Sequence, residues 1–83
     1  MDIKSDFLKE IGKRISELRL KNNQTQNDLS FLTGLEKSEI SKYEKGKINL
    51  TMTTLLKLAA ALKVHPKELL IFEFNIEKYK IDY

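Results

Sequence analysis

The chain has no cysteine, one histidine, one proline and three glycines in 83 residues. Without cysteine, no disulfide and no thiolate-based metal site can supplement the core. That absence also fits a reducing compartment. A lone histidine has no second His or Cys to complete a metal site, and His65, standing before Pro66, reads as a cap or surface residue. It does not support a Ser-His-Asp arrangement. No glycine-rich phosphate loop is present, and the acids Glu36 and Glu39 fall on an exposed helix with no cleft implied. No catalytic residue, metal, cofactor or small-molecule ligand is therefore expected, and the chain does not read as an enzyme. Scarce proline and glycine leave no linker or low-complexity segment, and no internal repeat is visible. No apolar run approaches the ~20 residues of a membrane span, and Met1 to Asp6 lacks a charged segment followed by an apolar one. The expected setting is cytoplasmic, with no membrane partner.

What is present is a modest excess of positive charge, +3 with a sequence pI near 9.2. That balance is compatible with a polyanionic partner. Its placement matters more, because four lysines lie between Lys37 and Lys47. Taken one at a time, such lysines are most simply a solvated helix face. The length allows one domain, and a chain this short buries only about 60–65% of its unfolded surface.

A first helix is expected from about Asp6 to Lys21, capped by Ser5 or Asp6. Phe7, Leu8, Ile11, Ile15 and Leu18 recur at helical spacing and give one buried stripe. Gly12 inside it costs about 1 kcal/mol relative to alanine unless another helix packs closely there. Asn22-Asn23 ends the helix. Thr25, with Asp28 three residues on, resembles a capping box with a shortened acid, so a second helix covers about Gln26 to Thr33. Gly34 supplies a turn. A third helix covers about Lys37 to Glu44 and stops at Gly46. After a loop at Asn49-Leu50-Thr51, a fourth covers about Thr53 to Leu62, with Leu55, Leu58, Ala59 and Leu62 facing inward. Pro66 is pre-set for a first helical position, which places a fifth at about Pro66 to Ile71. The tail from Phe72 is ambiguous: Phe72, Phe74 and Ile76 alternate as in a strand, whereas Phe72, Ile76, Tyr79 and Tyr83 fit a helix.

The stretch from Thr25 to Lys47 is the most informative. Leu29, Leu32, Leu35, Ile40 and Tyr43 can form one apolar seam between two short helices, while Lys37, Ser38, Ser41 and Lys42 need not be buried. Two short helices joined by a glycine-containing turn, the second polar and basic, match the geometry of a helix-turn-helix, which places its second helix in the major groove.

The residues Arg14-Ile15 and Arg19, then Gln26, Leu29, Gly34, Ile40-Ser41, Glu44 and Gly46, then Leu55 to Val64, resemble the phage repressor/Cro (Xre-type) helix-turn-helix family over roughly residues 8 to 71. The resemblance implies an all-α, lambda-repressor-like bundle of five helices that binds double-stranded DNA as a homodimer on a two-fold operator. It implies that Gln26 touches a phosphate, where the helix start itself favours an anion. By the same resemblance Lys37 and Ser38 reach base edges, and Lys42 meets a base or phosphate. Lys45, Lys47 and Asn49 grip the backbone, with Ser41 counted among the backbone contacts, and Arg19 and Glu44 form a structural ion pair. The chain departs from the family pattern at Glu36 and Glu39, which add negative charge near the reading helix, and at Gln24, which replaces an apolar residue.

Residues 1–71 are thus expected to form a helix-turn-helix DNA-binding domain and residues 72–83 a C-terminal tail, with a short strand as the favoured of its two readings, that serves dimerisation. Leu69, Leu70, Ile71, Phe72, Phe74 and Ile76 are more apolar than so small a domain readily buries, and exposed apolar surface usually marks an interface; Leu69, Phe72, Phe74 and Ile76 are the expected dimer contacts. The function expected is a sequence-specific transcriptional regulator, most simply a repressor or autoregulator. The alternatives are an antitoxin-like protein-binding module with secondary DNA binding, or a structural bundle with no nucleic-acid role.

Overall fold

The computed structural model describes residues 2–80. The expected tail contact of Tyr83 lies outside them. Four α-helices carry the fold: α1 (Ile3–Lys21), α2 (Gln26–Thr33), α3 (Lys37–Glu44) and α4 (Met52–Leu62). Two short 3-10 segments follow, Pro66–Leu70 and Ile76–Lys78. Among the described residues there is no strand.

Each helix boundary has a local cause. α1 starts three residues earlier than the sequence suggests, because Asp2 rather than Ser5 or Asp6 is the N-cap; its carboxylate accepts the Lys4 N–H at 3.1 Å. The helix closes at Asn22, and Asn23 takes the left-handed conformation, φ 55°, which asparagine tolerates better than most residues. At α2 the Thr25 hydroxyl accepts the Asp28 N–H at 3.0 Å while the Asp28 carboxylate accepts the Thr25 N–H at 2.8 Å. This reciprocal cap satisfies two groups that a helix start otherwise leaves free. Gly34 ends α2 at φ 78°. Thr51 caps α4 by accepting the Thr54 N–H at 3.1 Å, so α4 begins at Met52.

The fifth element is a single 3-10 turn rather than an α-helix. His65 caps it, Nδ1 accepting the Lys67 N–H at 3.0 Å, and the Glu68 N–H bonds back three residues to the His65 carbonyl at 2.9 Å. Arg14 Nε donates to the Glu68 carbonyl at 2.9 Å, so that oxygen serves α1 instead of continuing a helix. Five residues hold too few turns for an α-helical ladder to form.

The core comprises Ile11, Ile15 and Leu18 of α1, Leu29 of α2, Ile40 of α3, Leu55, Leu58, Ala59, Ala61 and Leu62 of α4, and Leu69. Leu35 and Tyr43 pack at its edge. Leu32, expected in the seam between α2 and α3, is instead 54% exposed: at i+3 from Leu29 it sits at the edge of the stripe that so short a helix turns inward. Gln24, polar where an apolar residue is usual, donates to the Ala61 carbonyl at 3.0 Å, and Asn22 donates to the Leu62 carbonyl at 2.7 Å. These two amides satisfy carbonyls that the end of α4 would leave free.

The tail turns back on the start of α1. Phe7, Phe72 and Phe74 form an edge-to-face aromatic group with centroids 5.1 to 6.3 Å apart. Tyr79 stacks on Phe74 at 5.5 Å, and its hydroxyl donates to Asp6 at 2.9 Å. This explains the missing strand: a strand needs a partner edge for its backbone groups, and here the side chains dock on a helix.

Candidate nucleic-acid interface

At about 100° per residue, positions 37, 38, 41, 42 and 45 span one arc of roughly 140° around α3. Ile40, buried, and Tyr43, half-buried, lie on the opposite side. That division leaves Lys37, Ser38, Lys42 and Lys45 exposed and Ser41 half-exposed, with Lys47 and Asn49 exposed in the following loop. Among the described residues no ion pair involves Lys37, Lys42, Lys45 or Lys47. These ammonium groups keep all their donors for an outside partner.

The two acids on this side have local employment. The Glu39 carboxylate accepts the Glu36 backbone N–H at 3.2 Å; Glu36 is the N-cap and Glu39 lies in the first turn of α3, where the helix dipole favours negative charge. Asn49 Oδ1 accepts the Leu50 N–H at 3.0 Å, leaving its amide nitrogen to donate.

The interface is held to the body by two close approaches and one largely enclosed ion pair. Gly46, φ 68°, follows α3 and lies so near α1 that a methyl group on it would come within 2.6 Å of the Lys9 backbone. Gly12 of α1 faces the last turn of α3 in the same way. Beside them Arg19 grips Glu44 with two N–H groups, Nε to Oε2 at 2.7 Å and Nη2 to Oε1 at 3.1 Å. The two side chains are 13% and 7% exposed. Arg19 also donates to the Gln24 carbonyl at 2.9 Å, which fixes the entry to α2. Gln26, the first residue of α2, donates to Glu44 Oε1 at 3.2 Å. Sequence reasoning treats Gln26 and Glu44 separately and misses this bond, since nothing in periodicity joins two residues across a turn.

The residues expected at a dimer contact do not stay together. Leu69 is 0% exposed; it fills the core of its own chain and is not available to a partner. Phe72 and Phe74 are half-buried in the group around Phe7, and Ile76 remains exposed. Met52, Leu56, Leu70 and Ile71 are exposed as well.

Among the described residues no group of His, Asp and Glu could hold a metal ion, and no helix is long and apolar enough to cross a membrane. A two-helix unit with a glycine turn, a capped first helix and a second helix whose exposed face carries unpaired lysines has the geometry of a DNA-binding helix-turn-helix. The helix-turn-helix family model HTH_3 matches residues 15–69, and the chain belongs to that family, which comprises DNA-binding transcriptional regulators and not enzymes. It is 37% identical over 62 residues to the control protein C.BamHI of Bacillus amyloliquefaciens, covering 74% of this chain and 76% of that one. Its fold superimposes on the restriction-modification controller protein C.AhdI from Aeromonas hydrophila with a TM-score of 0.73 at 40% identity, over 75% of this chain and 94% of that one. It also resembles the controller C.Esp1396I, solved as a tetramer in complex with its natural 35 base-pair operator, with a TM-score of 0.68 at 29% identity over 77% of this chain and 95% of that one.

Proposed function

We propose that the protein is a sequence-specific regulator that binds a two-fold operator as a dimer and acts as a repressor or autoregulator by occluding promoter DNA. Residues 1–71 serve as the DNA-binding domain, with α3 in the major groove. Lys37, Ser38 and Lys42 meet base edges; Gln26, Ser41, Lys45, Lys47 and Asn49 meet the sugar-phosphate backbone. The observation that carries this reading is the face of α3, where every lysine is unpaired while the Glu39 carboxylate beside it is turned to capping. A single unit reads one half-site, and two units on a two-fold axis read half-sites about 34 Å apart. The apolar side chains still exposed, Met52, Leu56, Leu70, Ile71 and Ile76, supply material for self-association, in keeping with a relative that assembles as a tetramer on its operator.

A mobility shift on pooled random duplexes at two salt concentrations tests the reading. With Lys45 and Lys47 of each subunit on phosphates, the dimer's affinity falls about 10²-fold between 50 and 200 mM salt, and selection from the pool yields an inverted repeat. Salt-insensitive binding, or no enrichment, would refute it. A second reading, a module that binds another protein with DNA secondary, is favoured by Phe31, which is 88% exposed on α2 next to the exposed Leu32.

A further inference from the structure

The carboxylate of Glu44 serves two elements at once. Oε1 accepts from both Arg19 Nη2, at 3.1 Å, and Gln26 Nε2, at 3.2 Å, while Oε2 takes Arg19 Nε at 2.7 Å. An ionised carboxylate can only accept, so it selects which end of the Gln26 amide faces it: the nitrogen, never the carbonyl. One N–H of that amide is engaged and the second is left over. The backbone N–H groups of Gln26 and Asn27 lie in the first turn of α2 and have no carbonyl inside the helix to bond. Thr25 and Asp28 cap each other and take neither of them.

We infer that Glu44 is a positioning residue for DNA binding. It holds the Gln26 amide so that its second N–H joins the free backbone N–H groups at the start of α2 as one preformed donor set for a single phosphate. Arg19 is required for this, because its guanidinium cancels a negative charge that would otherwise repel that phosphate. A Gln26 side chain free in solvent must give up its rotamer freedom when DNA arrives; a tethered one has already done so. The inference rests on the proposed phosphate contact of Gln26 and adds the residue through which that contact is set.

A double-mutant cycle on operator affinity tests it, using Gln26→Ala, Glu44→Gln and the two combined, each measured well below its own melting temperature. Gln26→Ala is expected to lose at least about tenfold, the size of one hydrogen bond to a charged group. Glu44→Gln, which allows the Gln26 amide to turn over, is expected to lose about three- to fivefold, and the combination no more than Gln26→Ala alone. Losses that multiply would overturn the positioning role. An unchanged affinity for Gln26→Ala would overturn the phosphate contact itself, and the inference with it. Should Glu44→Gln not fold, side-chain 15N relaxation on the unaltered protein decides: the Gln26 amide is expected to be as rigid as the backbone, and a freely averaging amide excludes the tether.

Discussion

Gly12 and Tyr43 meet backbone to backbone: a methyl group on Gly12 would stand 2.6 Å from the Tyr43 carbonyl oxygen. A glycine inside a helix costs about 1 kcal/mol in propensity, so an alanine there ought to help α1 in isolation. In the folded chain the obstacle is main chain at the end of α3, which no rotamer change can move aside. Gly12→Ala is expected to destabilise the protein by about 1–3 kcal/mol net, the usual cost of overpacking. Thermal unfolding checks this, and a melting temperature at or above the parent's would mean the helices can separate cheaply.

Arg19 and Glu44 are too enclosed to behave as a surface pair. Arg19→Ala leaves the Glu44 carboxylate uncompensated and is expected to cost at least about 3 kcal/mol, roughly 12–24 °C in melting temperature for a domain of this size. Replacing both, Arg19→Met with Glu44→Leu, is expected to cost less than Arg19→Ala alone, since no charge is then stranded. Chemical denaturation of the three variants measures the order.

Lys37 and Lys47 are expected to fail differently. Lys37→Ala removes a donor to base edges, worth about 1–3 kcal/mol on the preferred sequence only. Lys47→Ala removes a phosphate contact, weakens all sequences alike and lowers the salt slope by about 0.9 per site. Selection experiments with each variant separate the two; identical, non-selective losses would erase the distinction.

Tyr79 donates to Asp6, and that hydrogen bond, aided by burial and by the negative charges of Asp6 and Glu10, holds its phenol above the ordinary value of 10.0. The neutral phenol is the form favoured in the folded chain. Its contribution to tail docking is therefore complete below pH 10 and disappears as the pH rises past the folded value. Asp6→Asn is expected to bring the ionisation back down. Ultraviolet titration of parent and variant shows whether it does.

Ile71 and Ile76 are exposed and lie near the end of the described chain. If they contribute to self-association, Ile71→Glu and Ile76→Glu weaken it without lowering the melting temperature, because neither fills the core. Sedimentation at tens of micromolar reads the outcome; a parent that is monomeric there, or charged variants that associate equally well, would move the interface elsewhere.

The central elements were legible because their signals are local. Thr25 with Asp28, Gly34, and the apolar spacing of α4 each act within a few residues, and α2 and α3 fall where those signals put them. The family resemblance was legible for the same reason, being a spacing of residues over one segment. The tail was not: Phe72, Phe74 and Ile76 alternate like a strand, yet their conformation is decided by Phe7, more than sixty positions away. Leu69 was misplaced for a related reason. An apolar run shows that side chains want cover without showing which of them their own chain already covers. The bonds that tie Glu44 to Gln26, and Asn22 and Gln24 to the end of α4, cross between elements and leave no periodic trace.

The clasp between the tail and α1 joins residues more than sixty positions apart in sequence, Phe7 with Phe72 and Phe74 and Asp6 with Tyr79. Phe7 and Asp6 leave the ribosome before Phe74 and Tyr79. Until those later residues are made, Phe7 is without its aromatic neighbours. Closing the clasp also requires the two ends to meet after everything between them has found its place, a large loop whose closure entropy the intervening fold has by then already supplied. A variant truncated before Phe74 keeps the apparatus of α2 and α3 but leaves Phe7 with Phe72 alone and Asp6 without the Tyr79 hydroxyl.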